Sequence, residues 1–365
     1  MKSICYKIQI KPITPFHIGS GELHDPLNLV IKNGSAYYLN QLEYVRFLIR
    51  RNKAELEEKM ALSDIKQLHK YFADCFDHQE KKCWIFSYSV RKDICTNYQK
   101  KMENMQAEGY VRAFIRAGLS MQPIIPGSSI KGAIRTAILS HWQQRVPSYN
   151  LRYADKADRE LQASILGYMG DRGFPDIPSD PFKAIKIADA PWYNEHISIF
   201  EVGVTAPSAP ASNIAQLRSQ SYGRRKPTKA QTLPILMELA LTKPVTESEL
   251  SIFASTPPMK GIEKILPEGP KTLSPMLKMI NEYYRGQFDR EESIYKRFGE
   301  QHTNNYNAIR DFFNGLKENQ CMIKLGMGSG QNYCSYAVMN HNPKTRKLVS
   351  SLPMGWMKLS FEPKD

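Results

Sequence analysis

Residues 3 to 11 alternate without a break, with Ile4, Tyr6, Ile8 and Ile10 on one side and Cys5, Lys7, Gln9 and Lys11 on the other. Successive side chains of a strand leave opposite faces, so this period of two predicts a half-buried strand. The same pattern returns near residue 360, where Met357, Leu359 and Phe361 share a side. Strands towards both ends with helical periodicity between them predict an α+β fold with antiparallel or mixed sheets. A doubly wound parallel sheet fits less well.

The intervening elements follow from local signals. Thr14 to Gly21 is a Pro/Gly loop, and Leu27 to Leu39 reads as a hairpin turning at Asn33-Gly34. Asn40 is a helix cap with Glu43 three residues on, and Leu42, Val45 and Ile49 follow at helical spacing. Residues from about 51 to 82 read as a charged, mostly helical insertion, and Trp84 to Val90 as a strand. Ile130, Ile134 and Ile138 form the apolar stripe of a helix from Ser128 to about Trp142, entered through Ile124 to Gly127. Lys183 to Asp189, Ile197 to Val204 and Leu233 to Leu241 are strand candidates. The region from about 246 to 316 is expected to be largely helical, and a Gly-rich loop from Ile323 to Gly330 precedes a short helix from Gln331.

With 365 residues and 42% hydrophobic residues, the chain can fill the core of one elaborated domain or two modest ones. No apolar stretch reaches bilayer length, and Met1 to Ile10 lacks a signal-peptide core, so a soluble cytoplasmic protein is expected. Six cysteines without regular spacing are expected to stay reduced. His69, Cys75, His78 and Cys83 lie close together, but their spacing matches no established zinc pattern. No metal and no cofactor is assigned.

The formal charge of +14, from 50 Lys plus Arg against 36 Asp plus Glu, favours a polyanionic partner. Its distribution says more. Between Glu108 and Asp155 there is no acidic residue, while Arg112, Arg116, Lys131, Arg135, Arg145 and Arg152 occur there. A second acid-free run, Val202 to Met237, carries Arg218, Arg224, Arg225, Lys226 and Lys229 with Gly223 and Pro227. One such run would read as a solvated surface loop; two point to nucleic acid, whose affinity comes mainly from phosphate neutralisation.

The segment PGSSIKGAIRT, Pro126 to Thr136, sits where the charge and the helix begin together. A helix N-terminus carries unpaired amides and partial positive charge, so Lys131 in its first turns is electrostatically misplaced unless an anion binds there. Gly127 allows close backbone approach, Ser128 and Ser129 can cap or donate hydroxyls, and Lys131 with Arg135 would form one cationic ridge. The plain alternative is a Ser-capped helix with solvated cations. A nucleotide P-loop fails, because Lys131 precedes Gly132 and Ala133 follows. Gly326, Gly328 and Gly330 miss the dinucleotide fingerprint by one position and leave a tight turn or a backbone contact to a ligand.

Taken together, HIGSG at 17 to 21, PGSSIKGAIRTAIL at 126 to 139, DPFKAIKIAD at 180 to 189 and GMGSG at 326 to 330 resemble the ordered landmarks of the RAMP subunits that cap one end of type III-A CRISPR ribonucleoproteins, the Csm complexes. The resemblance implies a ferredoxin-like (RRM-like) RAMP core or cores with mostly helical insertions. It implies an N-terminal RAMP domain over 1–205, and a C-terminal part over 206–365 with a basic arm, a helical segment and the Gly-rich loop that closes the fold. By position, His17, Lys131 and Arg135 would line an RNA face, the Gly326 to Gly330 loop would approach the backbone, and Arg218 to Lys229 would form an arm. The implied partners are CRISPR RNA and neighbouring RAMP subunits, with target RNA and a recruited cellular nuclease as further candidates and no membrane.

The leading expectation is a noncatalytic CRISPR-RNA-binding subunit on the 3'-end side of the complex, needed for assembly and CRISPR RNA maturation. The alternative is a metal-independent endoribonuclease with His17 as general base and Lys131 stabilising the phosphorane. A third reading, target cleavage by a loop aspartate, would use Asp25, Asp171 or Asp176, residues that more commonly form turns.

Overall fold

A computed structural model describes residues 2–62, 65–104, 110–143, 154–205, 235–254, 258–295, 300–328, 346–349 and 352–364. In chain order, β1 (Lys2–Pro12), β2 (Gly19–His24), β3 (Leu29–Lys32) and β4 (Ser35–Leu39) lead into α1 (Gln41–Ala61) and α2 (Ile65–Cys75). There follow β5 (Trp84–Ser89), α3 (Lys92–Asn104), β6 (Val111–Phe114), β7 (Arg116–Ala117), β8 (Gln122–Ile125), α4 (Gly127–Gln143) and α5 (Ala154–Leu166). Next come β9 (Ile185–Ile187), β10 (Ala190–Pro191), β11 (Ile197–Thr205), β12 (Ile235–Ala240), β13 (Thr246–Ala254), α6 (Ser274–Tyr295) and α7 (Glu300–Asn314). The last strands are β14 (Gln320–Lys324), β15 (Arg346–Val349), β16 (Leu352–Pro353) and β17 (Trp356–Pro363).

The two alternating segments that open the sequence argument are neighbours. A five-stranded sheet runs β14-β17-β1-β13-β9, antiparallel throughout. Ile10 faces Leu359 and Ile8 faces Phe361 across the β1–β17 pair, and all four are buried. Each such side chain removed from water contributes roughly 1.5–3 kcal/mol, and a register slip of one residue would expose the whole set. The stripe of α4, Ile130, Ile134 and Ile138, joins the same core. So does α6, where the Tyr284 hydroxyl donates to Ala133 O at 3.2 Å.

A second, mixed sheet runs β16-β15-β11-β12-β6-β2, with β12 and β6 parallel. The expected halves, 1–205 and 206–365, share both large sheets: β1 and β9 lie with β13, β14 and β17, and β11 lies between β12 and β15. A third sheet, β3-β4-β5, holds the helical insertion. Its hairpin turns at Asn33 (φ 53°) and Gly34 (φ 77°), the left-handed pair that a two-residue hairpin needs. Asn40 caps α1 by accepting from Glu43 N at 3.4 Å, and a break at Asn52 is capped in turn, since its Oδ1 accepts from Glu55 N at 3.2 Å.

Three expectations need correcting. Leu42 and Ile49 are exposed; α1 instead buries Tyr44, Leu48 and Leu56 against Tyr71, Phe72 and Cys83. The region after 246 begins with a strand, β13, paired with β1 over nine positions from Lys2↔Ala254 to Ile10↔Thr246. Its Glu247 and Glu249 look helix-prone in isolation, yet they meet Lys7 and Lys364 across the sheet. The stretch read as a loop from Ile323 begins inside a strand, β14, whose Cys321, Met322 and Ile323 are fully buried. The short helix from Gln331 lies outside the described residues. His69, Cys75 and Cys83 are buried in the insertion and His78 is at the surface; among the described residues no three metal-ligating side chains converge.

Candidate nucleic-acid interface

In an antiparallel sheet alternate strands run the same way. β1, β9 and β14 are such alternates, so the segments leaving their C-terminal ends emerge towards the same end of the sheet. Those segments are the stretch through His17 and Ile18 that enters β2 at Gly19, so that HIGSG ends in a strand where a loop was expected, the junction of β9 with the start of α4, and the turn at Gly326 to Gly328. Three of the four sequence landmarks thus leave the sheet at the same end, and the fourth, α4, is anchored to the third.

The anchoring uses two aspartates. Asp189, just beyond β9, accepts from Gly127 N at 2.8 Å, so an internal carboxylate supplies the negative charge that the sequence reading assigned to a bound anion. Gly127 is required because a Cβ there would lie 2.0 Å from Ile187 O. Asp180, at the other end of DPFKAIKIAD, accepts from Arg135 Nη1 at 2.8 and 3.1 Å. The remaining guanidinium donors reach Gln162 (3.0 Å) and the Tyr168 hydroxyl (3.0 Å), with the Phe182 ring 4.8 Å away. Arg135, expected on a cationic ridge, therefore holds the fold together.

Lys131 is different. It is half-buried and forms no ion pair among the described residues. Burial pushes its ammonium below the ordinary lysine value; Asp180 works against this, while Arg135 and Lys186 add to it. Ser128 beside it is exposed, Ser129 is half-buried, and nothing lies within 4 Å of where a Cβ on the exposed Gly132 would stand. What remains open at this turn is one half-buried cation with no ion pair among the described residues, two hydroxyls and a bare stretch of helix.

The two Gly-rich loops are locked to each other. His17 O accepts from Met327 N at 2.9 Å, and Gly326 (φ 73°) is forced, because a Cβ would lie 2.1 Å from that oxygen. Gly355 N donates to Pro15 O and Gly355 O accepts from Leu325 N, which ties in the start of β17. Gly326 to Gly328 form a single 3-10 turn. The His17 side chain, expected on the RNA face, is buried: its Nδ1 donates to Glu238 O at 2.7 Å and its ring lies edge-on to Phe114. Arg218, Arg224, Arg225, Lys226 and Gly330 lie outside the described residues, as do Arg145 and Arg152.

Sequence reading missed Glu238. Its buried carboxylate accepts from Tyr88 Oη (2.7 Å), Phe114 N (2.6 Å) and Arg116 Nη2 (3.2 Å), with His24 Nε2 3.3 Å away. Burial alone would raise its pKa; His24, Arg116 and Tyr88 outweigh that and hold the carboxyl at about 2. Arg116, counted among the acid-free run, is thus neutralised from a residue 122 positions away and stacks on Phe86 at 3.7 Å. Asp25 accepts from Leu27 N and Asn28 N, as a turn former does. Among the described residues no helix is long and apolar enough to cross a membrane.

Comparison with known proteins agrees with this geometry. The profile of the RAMP superfamily matches residues 9–329. A Methanocaldococcus jannaschii protein named CRISPR system Cms protein Csm5 is 28% identical over 199 residues, covering 52% of this chain and 43% of the relative. Its Streptococcus thermophilus namesake is 23% identical over 254 residues, covering 69% and 64%. The chain thus aligns with less than two thirds of either relative's length. The fold matches a chain of the Csm-crRNA-target RNA ternary complex of a type III-A CRISPR-Cas system at a TM-score of 0.60 (18% identity, 98% of this chain and 100% of that one). It also matches the crystal structure of T. onnurineus Csm5 at 0.62 (19% identity, 96% and 99%). The superfamily match spans most of the sequence and the fold match nearly all of it: this chain belongs to the RAMP superfamily and is similar to the Csm5 proteins of CRISPR systems.

Proposed function

We propose that this protein is a noncatalytic CRISPR-RNA-binding subunit of a type III-A effector complex, seated on the 3'-end side beside neighbouring RAMP subunits and contributing to assembly and CRISPR RNA maturation. The observation that carries the reading is Lys131, a partly desolvated cation with no ion pair among the described residues, on a helix held by Arg135–Asp180 and Asp189–Gly127 at the sheet end where the Gly loops also emerge. Nearby exposed Ser128 and bare Gly132 would let a phosphodiester backbone approach closely. In this reading β17-β1-β13-β9 with α4 and α6 is the ferredoxin-like core, the turn at Gly326 to Gly328 faces the RNA backbone, and Arg218, Arg224, Arg225 and Lys226 supply a basic arm. Guide pairing would read sequence while the protein holds shape and backbone. Target RNA and a recruited nuclease belong to the same proposal as further partners. The endoribonuclease alternative loses support because its base, His17, is 1% exposed.

The test is a salt series with labelled CRISPR RNA, with and without divalent metal, following binding and cleavage together. Wild type should bind intact RNA with a steep salt dependence, and Lys131→Gln should weaken binding across sequences and reduce the slope by about 0.7. RNA cut by the purified chain, or an unchanged slope in the variant, would overturn the proposal.

A further inference from the structure

Charge is matched at one end of β1 and unmatched at the other. Lys7 pairs with Glu247 at 2.7 Å and stands opposite Glu249 and Glu362 in the sheet register. Four residues on and on the same face, Lys11 stands directly opposite Lys358 of β17. Like charges facing each other across an antiparallel pair destabilise a sheet. Lys317, before β14, is a third cation within electrostatic reach of Lys358. Burial, then Lys11, then Lys317 lower the Lys358 ammonium, and no carboxylate works against them. None of the three forms an ion pair among the described residues; the Lys11 ammonium lies over the Phe312 ring at 5.7 Å.

The last turn of α7 does not account for them. Arg285 already donates to Phe313 O (2.9 Å) and to Asn314 Oδ1 (3.2 Å) at that helix end. Position does. Lys11 is two residues before Ile13, whose amide donates to Trp356 O, and Lys358 is two residues after Trp356, so the pair lies next to the bonds that tie the start of β17 to the segment leading from β1 to His17. Gln9, Ser360 and Gln320 form the next row of the same face, with Gln320 Nε2 donating to Ser360 Oγ at 3.1 Å.

We infer that Lys11 and Lys358, with Lys317, form a second phosphate site that takes a phosphodiester group of an RNA strand leaving the Gly loops. The inference rests on the RNA-binding reading above. RNA is favoured over an acidic protein segment because the lysines adjoin the loops assigned to the RNA backbone, and because the chain carries an excess of 14 positive charges.

The experiment compares Lys11→Gln, Lys358→Gln and their combination with Lys131→Gln in the full chain. Thermal melting without RNA and anisotropy of labelled CRISPR RNA across salt are the two readouts. Lys358→Gln should leave the melting temperature unchanged or raise it, since a repulsion is relieved, and should weaken RNA binding several-fold with a slope lower by about 0.7. The double variant should lose about twice that slope. A lowered melting temperature with unchanged RNA affinity makes the lysines structural and overturns the site. Unchanged RNA affinity with reduced capture of a neighbouring RAMP subunit also overturns it, in favour of a protein contact. If Lys131→Gln weakens binding and the β1–β17 variants do not, this site alone fails; if none does, the RNA reading fails with it.

Discussion

Arg135 aims one guanidinium nitrogen at both carboxylate oxygens of Asp180, 2.8 and 3.1 Å away, joining two landmarks that lie 45 residues apart. Asp180 also accepts from Phe182 N at 3.0 Å, so it caps the turn that leads into β9.

Removing this carboxylate strands a guanidinium that is mostly shielded from water. Asp180→Ala should lower unfolding stability by about 3 kcal/mol, and Arg135→Lys, which keeps the charge but loses the planar fork, by about 1–2 kcal/mol. Urea unfolding measures both. Arg135→Lys should leave the salt slope of RNA binding unchanged, in contrast to Lys131→Gln; a stable Arg135→Lys variant with a reduced slope would return Arg135 to the RNA face.

Two glycines five residues apart in α4 should respond with opposite signs. A Cβ at Gly127 would lie 2.0 Å from Ile187 O, whereas at Gly132 it would meet nothing within 4 Å. Gly127→Ala should cost at least about 3 kcal/mol or prevent folding, because backbone must move. Gly132→Ala should stabilise the helix by about 0.5–1 kcal/mol. Denaturant midpoints decide, and destabilisation by Gly132→Ala would mean that the position has an internal packing role.

The Gly326 turn leaves no room for a side chain against His17 O. Gly326→Ala should destabilise the protein by about 2 kcal/mol or more, through strain at φ 73° and a broken Met327 N–His17 O bond. Hydrogen exchange at Met327 should accelerate in that variant. An unchanged exchange rate would show that the two loops are not locked in solution.

Glu238 makes stability depend on acid. Its carboxyl is held at about 2 in the fold against an ordinary value of 4.5. A depressed carboxyl stabilises fully above the unfolded value, and the contribution is lost as pH falls from about 4.5 towards 2. Glu238→Gln should cost about 3 kcal/mol at neutral pH by leaving Arg116 buried without its counter-charge. The gap between wild type and variant should narrow as pH is lowered below about 4.5. A gap that stays constant to pH 3, roughly midway through this window, would contradict the assignment.

Much of the fold was legible because its signals are local. Strand alternation at Ile4 to Ile10, the Asn33-Gly34 turn, the Asn40 cap and the Ile130–Ile134–Ile138 stripe each depend on neighbours within a few residues, and each stands where it was expected. Leu42–Ile49 misled because α1 carries apolar residues on two faces, and only the packing of α2 selects the one with Tyr44 and Leu48. The strand at Thr246 was hidden because its outward glutamates favour a helix until Lys7 and Lys364 are brought across from them.

Sequence alone determined the landmarks, the α+β class and the resemblance to RAMP proteins, since periodicity and motif spacing survive without knowledge of contacts. Tertiary structure decided which charges are available. Arg116 and Arg135 sit in a stretch without acids, yet Glu238 and Asp180 reach them from 122 and 45 residues away, while Lys11 and Lys358 are brought face to face with no acid between them. Coulombic partners are chosen by distance in space, and over such separations the pairing of strands and the packing of α4 against the turn before β9 set that distance.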